Sequence, residues 1–133
     1  MPTIFEKLNL KDQKAILVVN APASFEPELA GLVGVTVHRQ IGATKKIDFS
    51  LTFVTKQAEV DALAPKIAAR AQGDAIVWFA YPKGTSKKYK CDFNRDTGWA
   101  ALKAAEFDTV RAVSIDDDWT GLRFRRNEFI KSR

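Results

Sequence analysis

The run DAIVWFAYP at residues 74–82 constrains the fold more than any other stretch of this chain. It is apolar at nearly every position, so it lacks the alternation of a strand with one solvated face. A short run rich in apolar and aromatic side chains is typical of a strand that is covered on both sides. A membrane span would need an apolar run of about 18 residues, and no run in the sequence approaches that length. We therefore predict a central strand between two layers of helices.

Segments with helical spacing separate this run from other strand-like runs. Residues 56–73 repeat apolar side chains at helical spacing, and Pro65 is predicted to kink or split that helix. Residues 24–34 and 94–107 are two further helix candidates. The predicted strands are 15–22, 35–42, 47–55, 74–82, 109–115 and 122–129.

The resulting order of elements is β-α-β-β-α-β-α-β-β. Alternating strands and helices predict a largely parallel sheet, and the short connection between the last two strands makes that pair antiparallel. The fold class predicted is a single α/β domain over residues 1–133. It is a Rossmann-like, mostly parallel sheet of five or six strands, with helices on both faces and a C-terminal antiparallel pair.

Size and charge restrict the functional classes. The chain has 133 residues, with 21 Lys+Arg against 16 Asp+Glu and a net charge of +5. Basic and acidic residues are well mixed along the chain, whereas a dedicated nucleic-acid binder usually has a larger excess of basic residues. A lone cysteine, Cys91, allows no intramolecular disulfide, and the first residues do not match a secretory signal. We expect a soluble cytoplasmic protein with no membrane partner.

A lysine-rich loop follows the central strand directly. Residues 83–90, KGTSKKYK, hold four lysines, one glycine and two hydroxyl side chains. Ligands of such sheets bind outside the carboxyl ends of the strands, where this loop and Asn20 are expected to lie. We predict that Lys83, Thr85 and Ser86 bind a phosphate or carboxylate, and that the outer lysines matter less. The alternative is a solvated loop whose lysines aid solubility.

Other chemistry-bearing residues are weaker candidates. Consecutive carboxylates at 116–118 can ligate a metal, but neighbouring residues rarely point to one centre, so we predict a hairpin connection and no metal site. Asp116 is instead expected to pair with a basic residue and lock two loops together. Trp119 is placed in a loop near the predicted site. Lysines beside Cys91 are expected to depress its pKa, although the single histidine, His38, is not placed to activate it.

The C-terminal segment is basic. Arg123 and Arg125 share one face of the last strand, opposite Leu122 and Phe124. Together with the loop they suggest a surface for nucleic acid. The alternative, which we favour, is an edge strand whose charges protect it from aggregation.

Two segments, AYPKGTSKKYKCDFNRD and SIDDDWTGLRFRR, resemble a family of small bacterial proteins described only as a domain of unknown function. The family pattern has a proline-lysine loop, an Asp with a following helix, and a second Asp before Trp-Ser/Thr-Gly-Leu-Arg-Phe. The opening LVVNAPASFEPEL also fits this pattern. The resemblance implies a fold but no activity, and the outer lysines replace a smaller, less charged stretch. The matching positions are Asn20, Ala21, Pro22, Phe25, Pro82, Lys83, Ser86, Asp92, Arg95, Asp96, Asp116, Trp119, Thr120, Gly121, Leu122, Arg123 and Phe124.

The predicted layout also looks like a trimmed Rossmann-type methyltransferase sheet. Such enzymes have a glycine-rich turn after the first strand, because the backbone must approach the cofactor closely. Here the turn at residues 20–24 is NAPAS, without glycine, and no clear acidic residue ends the second strand to hold a ribose. We therefore predict that S-adenosylmethionine is not bound.

From these observations we predict a non-catalytic module that binds a small anionic ligand at the C-terminal ends of the strands. The sequence assigns no catalytic residue, no metal and no cofactor, and it names no reaction. Two alternatives stay open: a protein-interaction module or homodimer without ligand, and a weak nucleic-acid binder. The predicted ligand-binding residues are Asn20, Lys83, Thr85, Ser86, Asp92, Asp116 and Trp119.

Overall fold

The structure is a computed structural model that describes residues 4–8, 10, 14–43, 46–84, 86–87, 89–93 and 98–130. Predictions that involve Thr85, Lys88, Arg95 and Asp96 lie outside the described residues. The helices are α1 Ile4–Lys7, α2 Glu26–Ala30, α3 Gln57–Arg70 and α4 Ala100–Ala104. The strands are β1 Ala15–Val19, β2 Thr36–His38, β3 Ile47–Phe53, β4 Ala71–Pro82, β5 Phe107–Ser114 and β6 Trp119–Arg126.

The strands form one sheet in the order β2-β1-β3-β4-β6-β5. β1 pairs in parallel with β2 and β3, and β3 pairs in parallel with β4. β6 runs antiparallel to both of its neighbours, β4 and β5. The predicted mostly parallel sheet, its central strand at 74–82 and its antiparallel end are confirmed.

The position of β6 corrects one expectation. β6 lies between β4 and β5, so the interpretation of the last strand as a charged edge strand is wrong, and β5 forms that edge. Burial explains the placement, because Leu122 is 2% and Phe124 0% exposed and both need cover, whereas β5 is exposed over most of its length.

Several element boundaries also differ from those predicted. α3 runs as one helix through Pro65 and is not split, because Val60, Ala64 and Ile67 are buried on its sheet-facing side. Of the predicted helix at 94–107, residues 94–97 lie outside the described residues, the helix covers only Ala100–Ala104, and Phe107 already belongs to β5. The second strand contains three residues. None of the helices in the described part of the chain is long and apolar enough to span a membrane.

Two apolar layers cover the sheet, one on each face. One contains buried side chains of α3 and α4, including Ile67 and Leu102, and the other contains α1 and α2 side chains, including Phe5 and Leu29. The second layer also ties down the N-terminal segment, because the buried Trp78 indole Nε1 donates a hydrogen bond to the Leu8 carbonyl at 2.7 Å. Between these two layers, the sheet presents the loops that follow its parallel strands at one edge, the edge where those strands end.

Candidate functional site

The strands β1, β3, β4 and β5 end at one edge of the sheet, where ligands of open α/β sheets usually bind. The chain moves from β1 to β2 on one side and then to β3 on the other, so the switch in strand order lies between β1 and β3. Asn20 follows β1 at this switch point. Lys83 follows β4, one strand farther along the edge.

Asn20 takes the backbone conformation that a glycine would adopt most easily. Its φ is +60°, and asparagine is among the few residues with a side chain that tolerate this left-handed region. Its side-chain Nδ2 donates to the Phe53 carbonyl at the end of β3, at 3.4 Å. Asn20 therefore links the ends of β1 and β3.

Arg39, a positively charged residue, lies just beyond the end of β2. Arg39 donates to both carboxylate oxygens of Glu26, at 2.7 and 2.9 Å. This hydrogen bonding lowers the pKa of Glu26 below its usual value. An ion pair between α2 and the end of β2 thus lies where the methyltransferase pattern has an acidic residue that holds a ribose.

A cavity of about 550 Å³ opens at the end of β4, and we call it the basic-loop cavity. This volume is typical of small-molecule sites, which fall at roughly 300–1,000 Å³. Two lysines, three aromatic rings and one thiol contribute to its walls. The lining residues are Tyr81, Pro82, Lys83, Gly84, Ser86, Tyr89, Lys90, Cys91 and Phe93.

Lys83 is held in place from both its backbone and its side chain. Its backbone N–H donates to the Asp118 carbonyl at 2.8 Å, and its Nζ donates to the Ser114 hydroxyl oxygen at 2.7 Å. Ser114 is neutral, so this contact orients the ammonium without cancelling its charge. Of the predicted ligand-binding residues that the structure describes, Lys83 and Ser86 line the cavity.

Ser86 has a positioning role. Its hydroxyl donates to Asp118 Oδ1 at 2.9 Å and accepts from the Tyr89 N–H at 3.1 Å. Its own backbone N–H donates to the Lys83 carbonyl at 3.0 Å, which closes a tight turn. Because its hydroxyl hydrogen is already used, Ser86 shapes the loop and fastens it to the β5–β6 connection.

The aromatic walls rest against buried tryptophans. Ring centroids of Tyr81 and Phe93 lie 5.8 and 5.2 Å from that of Trp99. The Tyr89 ring lies 4.8 Å from the ring of Trp119. Trp119 was expected in a loop near the site, but it is the first residue of β6 and is 2% exposed, because it packs edge-on against a core phenylalanine. It supports the cavity from behind.

The carboxylates of Asp92 and Asp116 are engaged by backbone amides. Asp92 Oδ1 accepts from the Gln57 N–H, at the start of α3, at 2.6 Å. Asp116 Oδ1 accepts from the N–H groups of Asp118 and Trp119 at 2.8 and 2.9 Å, which makes a local turn. The link between loops that was expected of Asp116 is made by Asp118 through Ser86.

Cys91 differs from its expected behaviour. Burial raises the pKa of its thiol, the carboxylates of Asp92 and Glu59 raise it further, and a hydrogen bond with the Phe93 backbone offsets only part of this effect. The expected depression by nearby lysines is therefore wrong, and the thiol is a poor nucleophile at neutral pH. Within the described ranges, no group of three or more His, Cys, Asp or Glu side chains could hold a metal ion.

Arg123 and Arg125 lie on the other face of the sheet from Ser114, whereas Arg126 contacts the Ala68 and Ala71 carbonyls on the α3/α4 side. Ser114 pairs with Thr120, which shares the α3/α4 face with Leu122, whereas Arg123 and Arg125 point to the opposite face. Arg125 also forms an ion pair with Asp74.

Seven of the nine lining residues were not among the predicted ligand-binding residues: Tyr81, Pro82, Gly84, Tyr89, Lys90, Cys91 and Phe93. A signal was present, because aromatic side chains interleave with the lysines in YPKGTSKKYKCDF. Their convergence on one cavity depends on the turn at Ser86 and on contacts with Trp99 and Trp119, which the pattern of the loop does not reveal.

No family model matches the sequence, and no curated protein is significantly similar to it. Solved structures do match. An S-adenosylmethionine (SAM)-dependent methyltransferase from Aquifex aeolicus has 14% identity and a TM-score of 0.61, over 92% of this chain and 87% of that chain. A possible exported protein from Bordetella parapertussis has 11% identity and a TM-score of 0.62, over 93% of this chain and 65% of that chain.

Magnesium protoporphyrin IX methyltransferase from Synechocystis, solved with bound SAM, has 12% identity and a TM-score of 0.56, over 92% of this chain and 74% of that chain. Identities this low show a shared fold and nothing about activity. The chain thus has a Rossmann-like α/β fold, which the two methyltransferases share.

Proposed function

We propose that this protein is a non-catalytic module that binds a small anionic ligand in the basic-loop cavity. The observation that carries the proposal is Lys83, which lines a cavity of about 550 Å³ at the carboxyl edge of the sheet and whose ammonium is held by a neutral hydroxyl.

Lys83 has capacity left for a ligand. A lysine ammonium has three N–H donors, and the Ser114 contact uses one of them. No carboxylate pairs with Lys83 among the residues that the structure describes. A phosphate or carboxylate accepting the remaining N–H groups would form charge-assisted hydrogen bonds, which are shorter and stronger than neutral ones.

The composition of the walls favours binding over catalysis. Among the described lining residues there is no histidine, aspartate or glutamate to act as a general acid or base. The thiol of Cys91 has a raised pKa and is protonated at neutral pH. The lining thus consists mainly of groups that recognise and orient a ligand, which favours binding over catalysis.

The switch point between β1 and β3 does not have the features of a nucleotide-binding site. Asn20 bridges the ends of β1 and β3, and the Glu26–Arg39 pair occupies the end of β2. We therefore expect the ligand at the end of β4 and expect S-adenosylmethionine not to bind.

The test replaces one lysine at a time. Lys83→Met removes the ammonium but keeps a stem of similar length, and Lys87→Met removes the same charge from the same loop at a residue that does not line the cavity. Inorganic phosphate and 2-naphthoate are titrated at low and high salt, followed by the amide NMR signals of Gly84 and Ser86. We expect Lys83→Met to weaken binding at least tenfold, about 1.4 kcal/mol, and Lys87→Met to weaken it less than that.

Two results would contradict the proposal. Equal losses in both variants that vanish together at high salt would identify a diffuse positive surface rather than a site. Saturable binding of S-adenosylmethionine, with signal changes at Asn20 and none at Gly84, would place the ligand at the switch point instead.

A further inference from the structure

The geometry points to a ligand with a planar ring next to its acidic group, and we infer that the basic-loop cavity takes an aromatic carboxylate or aromatic phosphate. This inference rests on the proposed function and names the class of ligand for the same cavity.

The first support is the concentration of aromatic surface around one cavity. Tyr81, Tyr89 and Phe93 all line it, and each is only half-buried. Apolar ring surface that stays in contact with water is unfavourable, and a planar ring that fills the space between these walls would remove it from water. Inorganic phosphate alone would leave these walls exposed.

The second support is that the rings are already ordered. Tyr81 and Phe93 pack against Trp99, and Tyr89 packs against Trp119; these tryptophans are 3% and 2% exposed. A ligand that contacts rings fixed in this way loses little free energy to the ordering of side chains. Because the two tryptophans belong to different layers, the cavity is supported from both faces of the sheet.

The third support is the spacing of Tyr81 and Lys83. They are two residues apart at the end of β4, so they fall on the same side of the chain at a separation of about 7 Å between Cα atoms. The contact of Lys83 Nζ with Ser114, on the α3/α4 face that Tyr81 shares, agrees with this placement. One small ligand could therefore place its ring beside Tyr81 and its acid group within reach of the Lys83 side chain.

The experiment compares acids that differ only in ring character. 2-Naphthoate and decahydro-2-naphthoate have the same charge and similar size, and inorganic phosphate reports on the anion alone. We expect 2-naphthoate to bind the protein at least tenfold more tightly than decahydro-2-naphthoate by titration calorimetry. 1-Naphthyl phosphate, titrated in parallel, distinguishes a carboxylate ligand from a phosphate ligand.

Variants then locate the effect. Tyr89→Leu and Tyr81→Leu are each expected to reduce the preference for the aromatic acid at least threefold. Phe129→Leu removes a ring in the turn after β6, outside the cavity lining, and is expected to leave the preference unchanged. Two wall variants are used because each ring also packs in the structure, and circular dichroism checks that each variant is folded.

The outcomes separate the two proposals. Equal, Lys83-dependent affinity for both naphthoic acids would overturn the aromatic inference and leave the anion site standing. A preference that survives both wall substitutions would also overturn it. No binding of any of the acids or of phosphate would overturn the proposed function itself, and the inference with it.

Discussion

Thr52 and Ser50 bury hydroxyl groups on β3 among apolar side chains. Both residues are 0% exposed, and neither hydroxyl has a hydrogen-bond partner in the described part of the chain. In the sheet, Thr52 is flanked by Val19 on β1 and Phe79 on β4. A buried hydroxyl without a partner loses its hydration and gains nothing in return.

Thr52→Val is therefore expected to stabilise the protein. Valine has nearly the same shape as threonine but no polar group, so the substitution should raise the free energy of unfolding by about 1 kcal/mol. Urea unfolding measures the change. Thr36→Val, at an exposed position of β2, is the matched control and should change stability by less than about 0.5 kcal/mol. A loss of stability in Thr52→Val would mean that the hydroxyl has an acceptor in solution.

At Asn20, the sequence indicated the residue type of the turn but not its backbone conformation. The turn after β1 contains no glycine. Asn20 nevertheless adopts the left-handed conformation that a glycine would adopt most easily, with φ of +60°. The absence of glycine therefore did not predict the conformation of this turn.

The element α3 depends on carboxylates at its first turn. Glu59 Oε1 accepts from the backbone N–H groups of Thr55 and Lys56 at 2.7 and 3.1 Å, and Asp92 accepts from that of Gln57 at 2.6 Å. These groups satisfy N–H donors that a helix leaves unpaired, and their negative charge suits the helix dipole.

Asp92→Ala is expected to destabilise the protein by about 1 kcal/mol, the usual effect of losing a helix cap. Asp92→Asn keeps an oxygen acceptor and should lose less. Thermal and urea unfolding are measured beside Asp117→Ala, which removes an exposed carboxylate from the β5–β6 connection. If Asp92→Ala matched the control, the Gln57 contact would contribute nothing to stability.

Periodicity located α3 within a few residues at either end, because its buried side chains repeat at helical spacing. It did not reveal the Asp92 cap, which is 35 positions away in sequence. The same limit applies to the basic-loop cavity: the loop and Lys83 were visible as a pattern, whereas Ser114 and Asp118 reach it from another connection.

At the scale of the whole molecule, the alternation of strands and helices was enough to predict the sheet and the direction of its strands. It could not decide which strand of the final hairpin lies inside, because either order satisfies the same sequence pattern. The burial of Leu122 and Phe124 against the rest of the core determines that β6 is the inner strand.

Stability in acid should depend on two ion pairs that join distant parts of the chain, Glu26–Arg39 and Asp74–Arg125. Hydrogen bonds from the arginines lower the pKa of Glu26 and Asp74 in the folded protein. The unfolded chain therefore takes up protons first, at its ordinary carboxyl pKa of about 4, and the stability contributed by these pairs is lost as pH falls below it.

The variant Glu26→Gln/Asp74→Asn removes this proton linkage. Its free energy of unfolding should be lower than that of the natural chain at neutral pH, and the difference should shrink between about pH 5 and pH 2. Urea unfolding across that range gives both curves. A difference that stays constant with pH would show that the carboxylates do not titrate with shifted pKa values.

The contact of each cavity wall with a buried tryptophan has an optical consequence. Trp99 touches Tyr81 and Phe93, and Trp119 touches Tyr89, so both indoles sit directly behind the surface that a ligand would cover. Trp78 is buried beneath the N-terminal segment, where its indole bonds to Leu8. Occupation of the cavity would thus change the ultraviolet emission of two of the three tryptophans while the third serves as an internal reference, and the protein carries its own label-free reporter.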